Sequence, residues 1–176
     1  MSPVARPLIH DPIRRGGPER LVIALGSNLG DRRAILADAA ERIAVVPGVF
    51  VRAVSPLIES IAVRTSGPDS SAPAYLNGVL VGHTYLEPHR LLAATAAIED
   101  ELGRTRSERW GDRTIDIDLI EVGGRRVQDE RLTLPHPRAA ERDFVLAPWL
   151  EVEPDAVLTG HGRVDALLAS LRGAAG

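Results

Sequence analysis

The chain contains no cysteine and no lysine, and both absences limit its chemistry. Without cysteine, the 176 residues cannot form disulfides, use a thiolate nucleophile or hold zinc through sulfur. The 21 residues that are lysine or arginine are all arginine, which excludes a Schiff-base lysine and the lysine of a P-loop. Aromatic residues are only 3% of the chain, so few side chains are available to stack on a flat ligand.

Long apolar runs and a basic excess are also missing. No apolar run approaches the roughly 20 residues that cross a membrane, so no membrane contact is expected. The net charge of −3 argues against a nucleic-acid partner. Residues 1–19 hold four prolines and no apolar stretch typical of a signal peptide. We therefore predict a cytoplasmic protein with a disordered extension over 1–19 and a single domain over 20–176.

Apolar periodicity predicts a β-α-β-β-α-β order along the first two thirds of the chain. The first strand is an apolar run that ends at Gly26. Asp31 or Asn28 is predicted to cap the first helix, and Gly103 to end the second. Strands are predicted over 21–25, 49–59, 75–86, 114–122 and 125–128, and a loop is predicted over 64–73. The first helix is predicted to end at Pro47-Gly48, and the second to begin at Pro88. This order is typical of a ferredoxin-like α+β sandwich, to which the last third adds a short helical piece and a helix near 163–172.

Residues 108–118 (ERWGDRTIDID) carry the strongest chemical signal. Asp116 and Asp118 stand two apart on a predicted strand, so they share one face with Cα atoms roughly 6.5–7 Å apart. Two neighbouring carboxylates suit Mg²⁺, which takes a few carboxylates together with substrate phosphates. Arg109 and Arg113 lie just upstream and can bind the same phosphates through two parallel hydrogen bonds each. The pattern favours metal-assisted chemistry on a polyphosphate.

Other interpretations remain open at this point. Alternating aspartates on an exposed strand commonly bind nothing, and an arginine loop can simply be solvated or paired with Glu108 and Asp112. A nucleotidyl or phosphoryl transferase on a ferredoxin-like frame could also use a paired-aspartate metal site. A nonenzymatic RNA-binding module shares this topology, but it requires clustered aromatics and a basic face.

Four segments together resemble the 6-hydroxymethyl-7,8-dihydropterin pyrophosphokinase family. They are ALGSNLGD at 24–31, YLN at 75–77, GRTRSERWGDRTIDIDL at 103–119 and ERLTLPHPRAAERDFVLAPW at 130–149. They occur in the family's order with similar spacing and span residues 21 to about 158. The third segment contains R-W-G-x-R-x-x-D-x-D, the signature of the family.

The resemblance implies transfer of pyrophosphate from ATP to the pterin hydroxymethyl group, with release of AMP, by a monomer in folate biosynthesis. It implies that Asp116 and Asp118 hold two Mg²⁺ ions and that Arg104 and Arg113 contact the triphosphate and the transferring group. Tyr75 and Phe144 are expected to stack on the pterin, Asn77 to pair with its edge and Trp110 to line its pocket. The residues expected to bind ATP are Glu99, Arg106, Trp110, Arg131, Thr133, His136 and Arg142. Gly26, Ser27 and Asn28 are expected to allow the turn below the site.

Overall fold

A central antiparallel sheet organises the molecule, as seen in a computed structural model that describes residues 16–60, 62–64, 67–69, 74–103 and 114–174. The strands are β1 (Glu19–Ser27), β2 (Val49–Val54), β3 (Ile58–Ser60), β4 (Ala62–Arg64), β5 (Gly67–Asp69), β6 (Tyr75–Thr84), β7 (Asp116–Val122), β8 (Val127–Gln128), β9 (Thr133–Leu134), β10 (Val157–Leu158) and β11 (Gly162–Arg163). The helices are α1 (Arg32–Ala44), α2 (Pro88–Glu101), α3 (Asp143–Val152) and α4 (Val164–Ala174), with a 3₁₀ turn at Ala139–Glu141.

The main strands lie in the order β2-β6-β1-β7, and β3 pairs with the beginning of β6. Together with α1 and α2, this antiparallel order is the predicted ferredoxin-like arrangement, which the structure confirms. None of the described helices is long and apolar enough to cross a membrane.

The two helices of the ferredoxin-like unit begin where the sequence predicts, and α2 also ends there, whereas α1 ends at Ala44, before the predicted stop at Pro47-Gly48. Asp31 caps α1, because its Oδ1 accepts a hydrogen bond from the Ala34 N–H at 3.1 Å. Pro88 occupies the first turn of α2, where its missing N–H costs nothing. Gly103 follows α2 with a φ of 80°, a left-handed conformation that favours glycine.

Each face of the sheet is covered by its own pair of helices. Leu21, Ile23 and Leu25 of β1 pack with α1 and α2, whereas Val22 packs with α3 and α4. The C-terminal additions therefore form a third layer, centred on the fully buried Trp149 of α3. The last third of the chain turns a two-layer sandwich into a three-layer domain.

The side-chain alternation of β7 shifts by one residue at a β-bulge. Ile23 pairs with Leu119, but the next residue back along β1, Val22, pairs with Glu121 rather than Ile120. Ile120 is buried in the α3–α4 layer, which also contains Val22, so Ile120 and Glu121 both face α3 and α4. The carboxylates of Asp118 and Glu121 consequently lie on the same face of the sheet.

Two sequence predictions of strand and loop boundaries were wrong. The strand predicted over 49–59 is interrupted between β2 and β3, where the Ser55 Oγ accepts a hydrogen bond from Val79 N–H at 2.9 Å and Pro56 has no N–H to donate. The segment 64–73, predicted as a loop, contains β5, which pairs with β4. The break at Ser55 and Pro56 lets β3 resume pairing beside the first residues of β6.

Candidate active site

Three strands bring the predicted site residues together at one end of the sheet. Gly26 of β1 pairs with Asn77 of β6 on one side and with Asp116 of β7 on the other. A Cβ atom on Gly26 would lie 3.2 Å from the Asn77 Oδ1 and 3.7 Å from a Tyr75 ring carbon. Gly26 remains within β1, and its expected role in the turn was wrong; Gly30, with a φ of 67°, provides that flexibility. The missing side chain of Gly26 leaves room for the walls of the site.

A cavity of about 120 Å³ opens above this row of residues. It brings together the side chains predicted to bind a flat heterocycle and the aspartate pair. Its lining residues are Ala24, Leu25, Gly26, Tyr75, Asn77, Asp116, Asp118, Arg142, Phe144 and Val145. We refer to it below as the Asn77 cavity.

The Asn77 side chain is held in place by its neighbour strand. Its Nδ2 donates a hydrogen bond to the Ser60 Oγ at 2.8 Å, and Asn77 is only 5% exposed. With Nδ2 engaged by Ser60, the Oδ1 of Asn77 faces Gly26. Ser60 was not predicted as a site residue, because the break in the strand that places it was not predicted either.

Asp118 lies at the centre of the site. Its Oδ2 accepts a hydrogen bond from the Arg142 guanidinium at 3.1 Å and lies 3.8 Å from the His136 Nε2. The Arg142 guanidinium also lies over the Phe144 ring, 5.6 Å from its centroid. The Asp118 side chain is 31% exposed, and its Oδ1 has no donor among the residues that the structure describes. The described residues therefore donate to only one of the two carboxylate oxygens.

His136 lies beside Asp118, with its Nε2 3.8 Å from the Asp118 Oδ2. Its Nδ1 accepts a hydrogen bond from the Arg138 backbone N–H at 3.1 Å, so in the neutral ring the proton is on Nε2. Burial lowers the pKa of His136 below its ordinary 6.5; Asp118 opposes this shift, whereas Arg142 and Arg138 add to it. His136 can therefore donate one hydrogen bond at neutral pH without adding positive charge.

A second cavity of about 290 Å³ lies on the other side of Asp118. Three of the residues predicted to bind ATP line it, namely Arg131, Thr133 and His136. The complete lining is Leu92, Ile117, Asp118, Leu119, Asp129, Glu130, Arg131, Leu132, Thr133, His136 and Pro137. Asp118 lines both cavities, so the carboxylate is where they meet. We refer to this one as the His136 cavity.

Asp129 shapes the turn that carries Arg131. Its Oδ1 accepts hydrogen bonds from the backbone N–H groups of Arg131 at 2.8 Å and Leu132 at 3.0 Å, and its Oδ2 lies 2.8 Å from the His89 Nε2. The Arg131 and Leu132 N–H groups and His89 lower the pKa of Asp129. Sequence reasoning missed this pair, because His89 and Asp129 are far apart along the chain and share no motif.

Glu99 binds the backbone of β7 between Asp116 and Asp118. It is 4% exposed, and its Oε1 accepts a hydrogen bond at 2.7 Å from the N–H of Ile117, the residue between Asp116 and Asp118. Its predicted contact with ATP remains a prediction. The described contact shows instead how this buried carboxylate fixes the backbone that carries both aspartates.

The arginine loop lies outside the described residues. The predicted site residues that fall there are Arg104, Arg106, Arg109, Trp110 and Arg113. The flanking residues are close together, since the Thr114 Oγ1 donates to the Gly103 carbonyl at 3.4 Å. The described residues contain no cluster of three or more His, Asp or Glu suited to a metal ion. Two carboxylates fit Mg²⁺, which completes its coordination with water and phosphate oxygens.

The sequence is similar to those of known proteins. Residues 22–154 match the family model of 7,8-dihydro-6-hydroxymethylpterin-pyrophosphokinase (HPPK). A 2-amino-4-hydroxy-6-hydroxymethyldihydropteridine pyrophosphokinase of Methylorubrum extorquens is 44% identical over 149 residues, which are 84% of this chain and 91% of that protein. The protein of that name from Bacillus subtilis is 43% identical over 130 residues, 74% of this chain and 75% of its own.

Solved structures match the fold. A Plasmodium falciparum HPPK-DHPS crystallised with pterin and p-hydrobenzoate superposes with a TM-score of 0.66 at 12% identity. The match covers 90% of this chain but only 45% of that one, so this chain spans less than half of the Plasmodium protein.

Proposed function

Since the chain belongs to the 7,8-dihydro-6-hydroxymethylpterin-pyrophosphokinase family and transfers pyrophosphate to hydroxymethyldihydropterin in folate biosynthesis, we propose that the Asn77 cavity binds the pterin and the His136 cavity binds ATP. One observation carries this assignment: Asp118 lines both cavities. A group that passes between the two ligands must pass Asp118. The aspartate pair is therefore the place of transfer.

The Asn77 cavity has the chemistry that a pterin requires. Tyr75 and Phe144 supply the aromatic faces on which the flat ring stacks. With its Nδ2 engaged by Ser60, Asn77 offers its Oδ1 as the acceptor for N–H groups on the pterin edge. Because Asn77 is almost fully buried, a ligand lacking that N–H would leave the acceptor unsatisfied. Asn77 is thus the specificity residue of the cavity.

Asp116 and Asp118 would hold two Mg²⁺ ions, whose charge neutralises the phosphate oxygens during transfer. The Asp118 oxygen without a described donor supports this role. Arg142 is bound to the other oxygen, and its guanidinium is within reach of any phosphate placed between the cavities. The residues present fit the metal, because they leave coordination positions for the substrate.

The protein's own contribution is positioning and electrostatics. The pterin hydroxymethyl oxygen attacks the β-phosphorus of ATP, the bond between the α,β-bridging oxygen and that phosphorus breaks, and AMP leaves with the bridging oxygen. His136, Arg131 and Thr133 donate hydrogen bonds to phosphate oxygens from the His136 cavity, and Arg142 donates from the side of the Asn77 cavity, beside Asp118. We place Arg104 and Arg113 at the triphosphate, and Glu99, Arg106 and Trp110 near the ligands.

We propose a monomer in the cytoplasm that acts on small molecules and binds neither nucleic acid nor membrane, with residues 1–19 as an extension of a single domain over 20–176. The net charge of −3 supports the absence of a nucleic-acid partner. The family match over 22–154 supports the domain boundary.

The test is to identify the nucleotide product. Purified protein is mixed with ATP, Mg²⁺ and 6-hydroxymethyl-7,8-dihydropterin, and the nucleotides are separated by chromatography. AMP that forms only when the pterin is present, in equal amount to the pterin pyrophosphate, is the expected result. ADP would contradict the proposal, because it indicates transfer of a single phosphoryl group. The Asn77→Ala variant checks the cavity, since its KM for the pterin should rise while its KM for ATP stays unchanged.

A further inference from the structure

We infer that Arg32 is a positioning residue for the pterin, although its side chain does not line the Asn77 cavity. The inference rests on the proposed assignment of that cavity to the pterin. The Arg32 guanidinium is forked between two strands. Its Nη1 donates to the Ala74 carbonyl at 2.6 Å, and its Nη2 donates to the Glu59 Oε1 at 3.0 Å.

The residues that follow these two partners are those that build the cavity. Ala74 precedes Tyr75, which lines the cavity wall, and Glu59 precedes Ser60, which holds the Asn77 amide. Ser60 and Tyr75 are themselves register partners in the β3–β6 pair. The Arg32 fork therefore fixes both strands immediately beside the residues that contact or orient the pterin.

The bonds from Arg32 supplement a short strand pairing. β3 has only three residues, which pair with the first three residues of β6, and Ala74 lies directly before β6. Short strands at a sheet edge gain little from pairing alone. A side chain from α1 that bonds to both ends supplies a connection that the short ladder lacks.

Arginine suits this position better than lysine. Its planar guanidinium presents several donors in a rigid fork, so one side chain can bond to a carbonyl and a carboxylate at once. The bond to the Ala74 carbonyl is charge-assisted and is the stronger of the two. The Glu59 side chain is 64% exposed, so its ion pair with Arg32 contributes little.

The experiment compares Arg32→Gln with Arg42→Gln. Arg42 is a matched control, because it lies on the same helix and forms two ion pairs, with Asp38 at 2.8 Å and Glu101 at 2.6 Å, away from both cavities. Pterin affinity is measured by fluorescence titration with a non-hydrolysable ATP analogue and Mg²⁺ present, alongside KM for ATP, kcat and the melting temperature.

We expect Arg32→Gln to weaken pterin binding about three- to tenfold, which is less than the full loss of a charge-assisted hydrogen bond, because Arg32 acts through Tyr75 and Asn77 and does not contact the pterin. Its KM for ATP should stay within twofold of the parent, because the His136 cavity is built from other elements. Arg42→Gln should change neither affinity. Glu59→Gln should have less effect than Arg32→Gln, because the Ala74 bond is retained. Unchanged pterin affinity in Arg32→Gln, or an equal loss in Arg42→Gln, would overturn the inference.

Two further variants keep the outcome interpretable. If Asn77→Ala leaves pterin affinity unchanged, the cavity assignment itself is wrong. If Asn77→Ala weakens pterin binding but Arg32→Gln does not, only the role of Arg32 is wrong. Should Arg32→Gln fold poorly, Arg32→Lys keeps the charge without the fork; parent-like pterin affinity in that variant would equally overturn the inference.

Discussion

Asp118 and Glu121 are two carboxylates on one strand and one face of the sheet, yet their surroundings differ. The Glu121 side chain is 3% exposed and accepts three hydrogen bonds, from Arg20 at 2.8 Å, the Thr159 N–H at 3.0 Å and the Thr159 hydroxyl at 2.8 Å. The Asp118 side chain is 31% exposed, with one arginine at 3.1 Å and one oxygen that has no described donor. Among the described residues, Glu121 has donors to both of its oxygens, whereas Asp118 has a donor to only one.

The surroundings of Glu121 extend this contrast. Arg20 also donates to the Val157 carbonyl at 2.6 Å and lies over the Trp149 ring, whose Nε1 donates to Glu153 at 2.7 Å. This network connects β1 and β7 to the C-terminal layer. A buried charge is tolerated when every partner is provided, and such a charge anchors structure rather than reacting. The number of donors thus separates an anchoring carboxylate from a reactive one.

The largest expected effect is on turnover. Asp118→Asn and Asp116→Asn should each lower kcat about a thousandfold or more, because the substituted amide cannot hold Mg²⁺ beside the phosphates. Stability should change little, since the Asp118 side chain is 31% exposed and the described residues donate to only one of its oxygens. Steady-state kinetics and urea unfolding measure the two effects. Activity within tenfold of the parent would show that the aspartates are not metal ligands.

Glu121→Ala should show the opposite pattern. It removes the acceptor of both Thr159 groups and one of the acceptors of Arg20, so we expect a loss of about 3 kcal/mol in the free energy of unfolding. At a temperature where the variant remains folded, kcat should stay within twofold of the parent. Loss of kcat without loss of stability would contradict the assignment of Glu121 as an anchor.

Glu99 is a third carboxylate, buried on α2 and bonded to the backbone of β7. Glu99→Ala leaves the Ile117 N–H unsatisfied and should cost about 2 kcal/mol of stability. It should also weaken Mg²⁺-dependent turnover, because the backbone between the two aspartates loses its support. Glu99→Gln retains an acceptor oxygen and should restore stability. If Glu99→Gln instead raises KM for ATP with stability intact, Glu99 acts on the nucleotide directly.

The smallest effect concerns Asp129. Asp129→Ala frees the turn that carries Arg131, and KM for ATP should rise about threefold while pterin binding is unchanged. Because the pKa of Asp129 is lowered, its contribution to stability is complete above its ordinary value of 3.8 and is lost as the pH falls through the lowered value. The difference in urea midpoint between parent and Asp129→Ala should therefore shrink as the pH falls below 3.8. A difference that does not change as the pH is lowered from 5 through that value would contradict the assignment.

Local patterns predicted much of this molecule. Period-two alternation placed Asp116 and Asp118 opposite Ile117 and Leu119, and glycine and proline marked the helix ends. These features depend on neighbours within a few residues, which a sequence displays directly.

Features that depend on distant partners were not predictable in the same way. The bulge at Ile120, the contact of Gly26 with Asn77 and the Arg32 fork to Ala74 all arise from strand register and packing. The sequence around Arg32 contains no sign that its partners lie on β3 and β6. Motifs identify the predicted site residues, whereas the contacts that hold those residues in place are visible only in the tertiary structure.

The bulge in β7 also limits how the chain can vary during evolution. At the present number of residues, pairing without the bulge would put Ile120 opposite Val22 and move Glu121 from the α3–α4 layer to the aliphatic α1–α2 layer, away from Arg20 and Thr159. The bulge is therefore what lets two carboxylates three residues apart face the same side of the sheet. Among related chains, the bulge and the two residues between Asp118 and Glu121 should be kept or lost together.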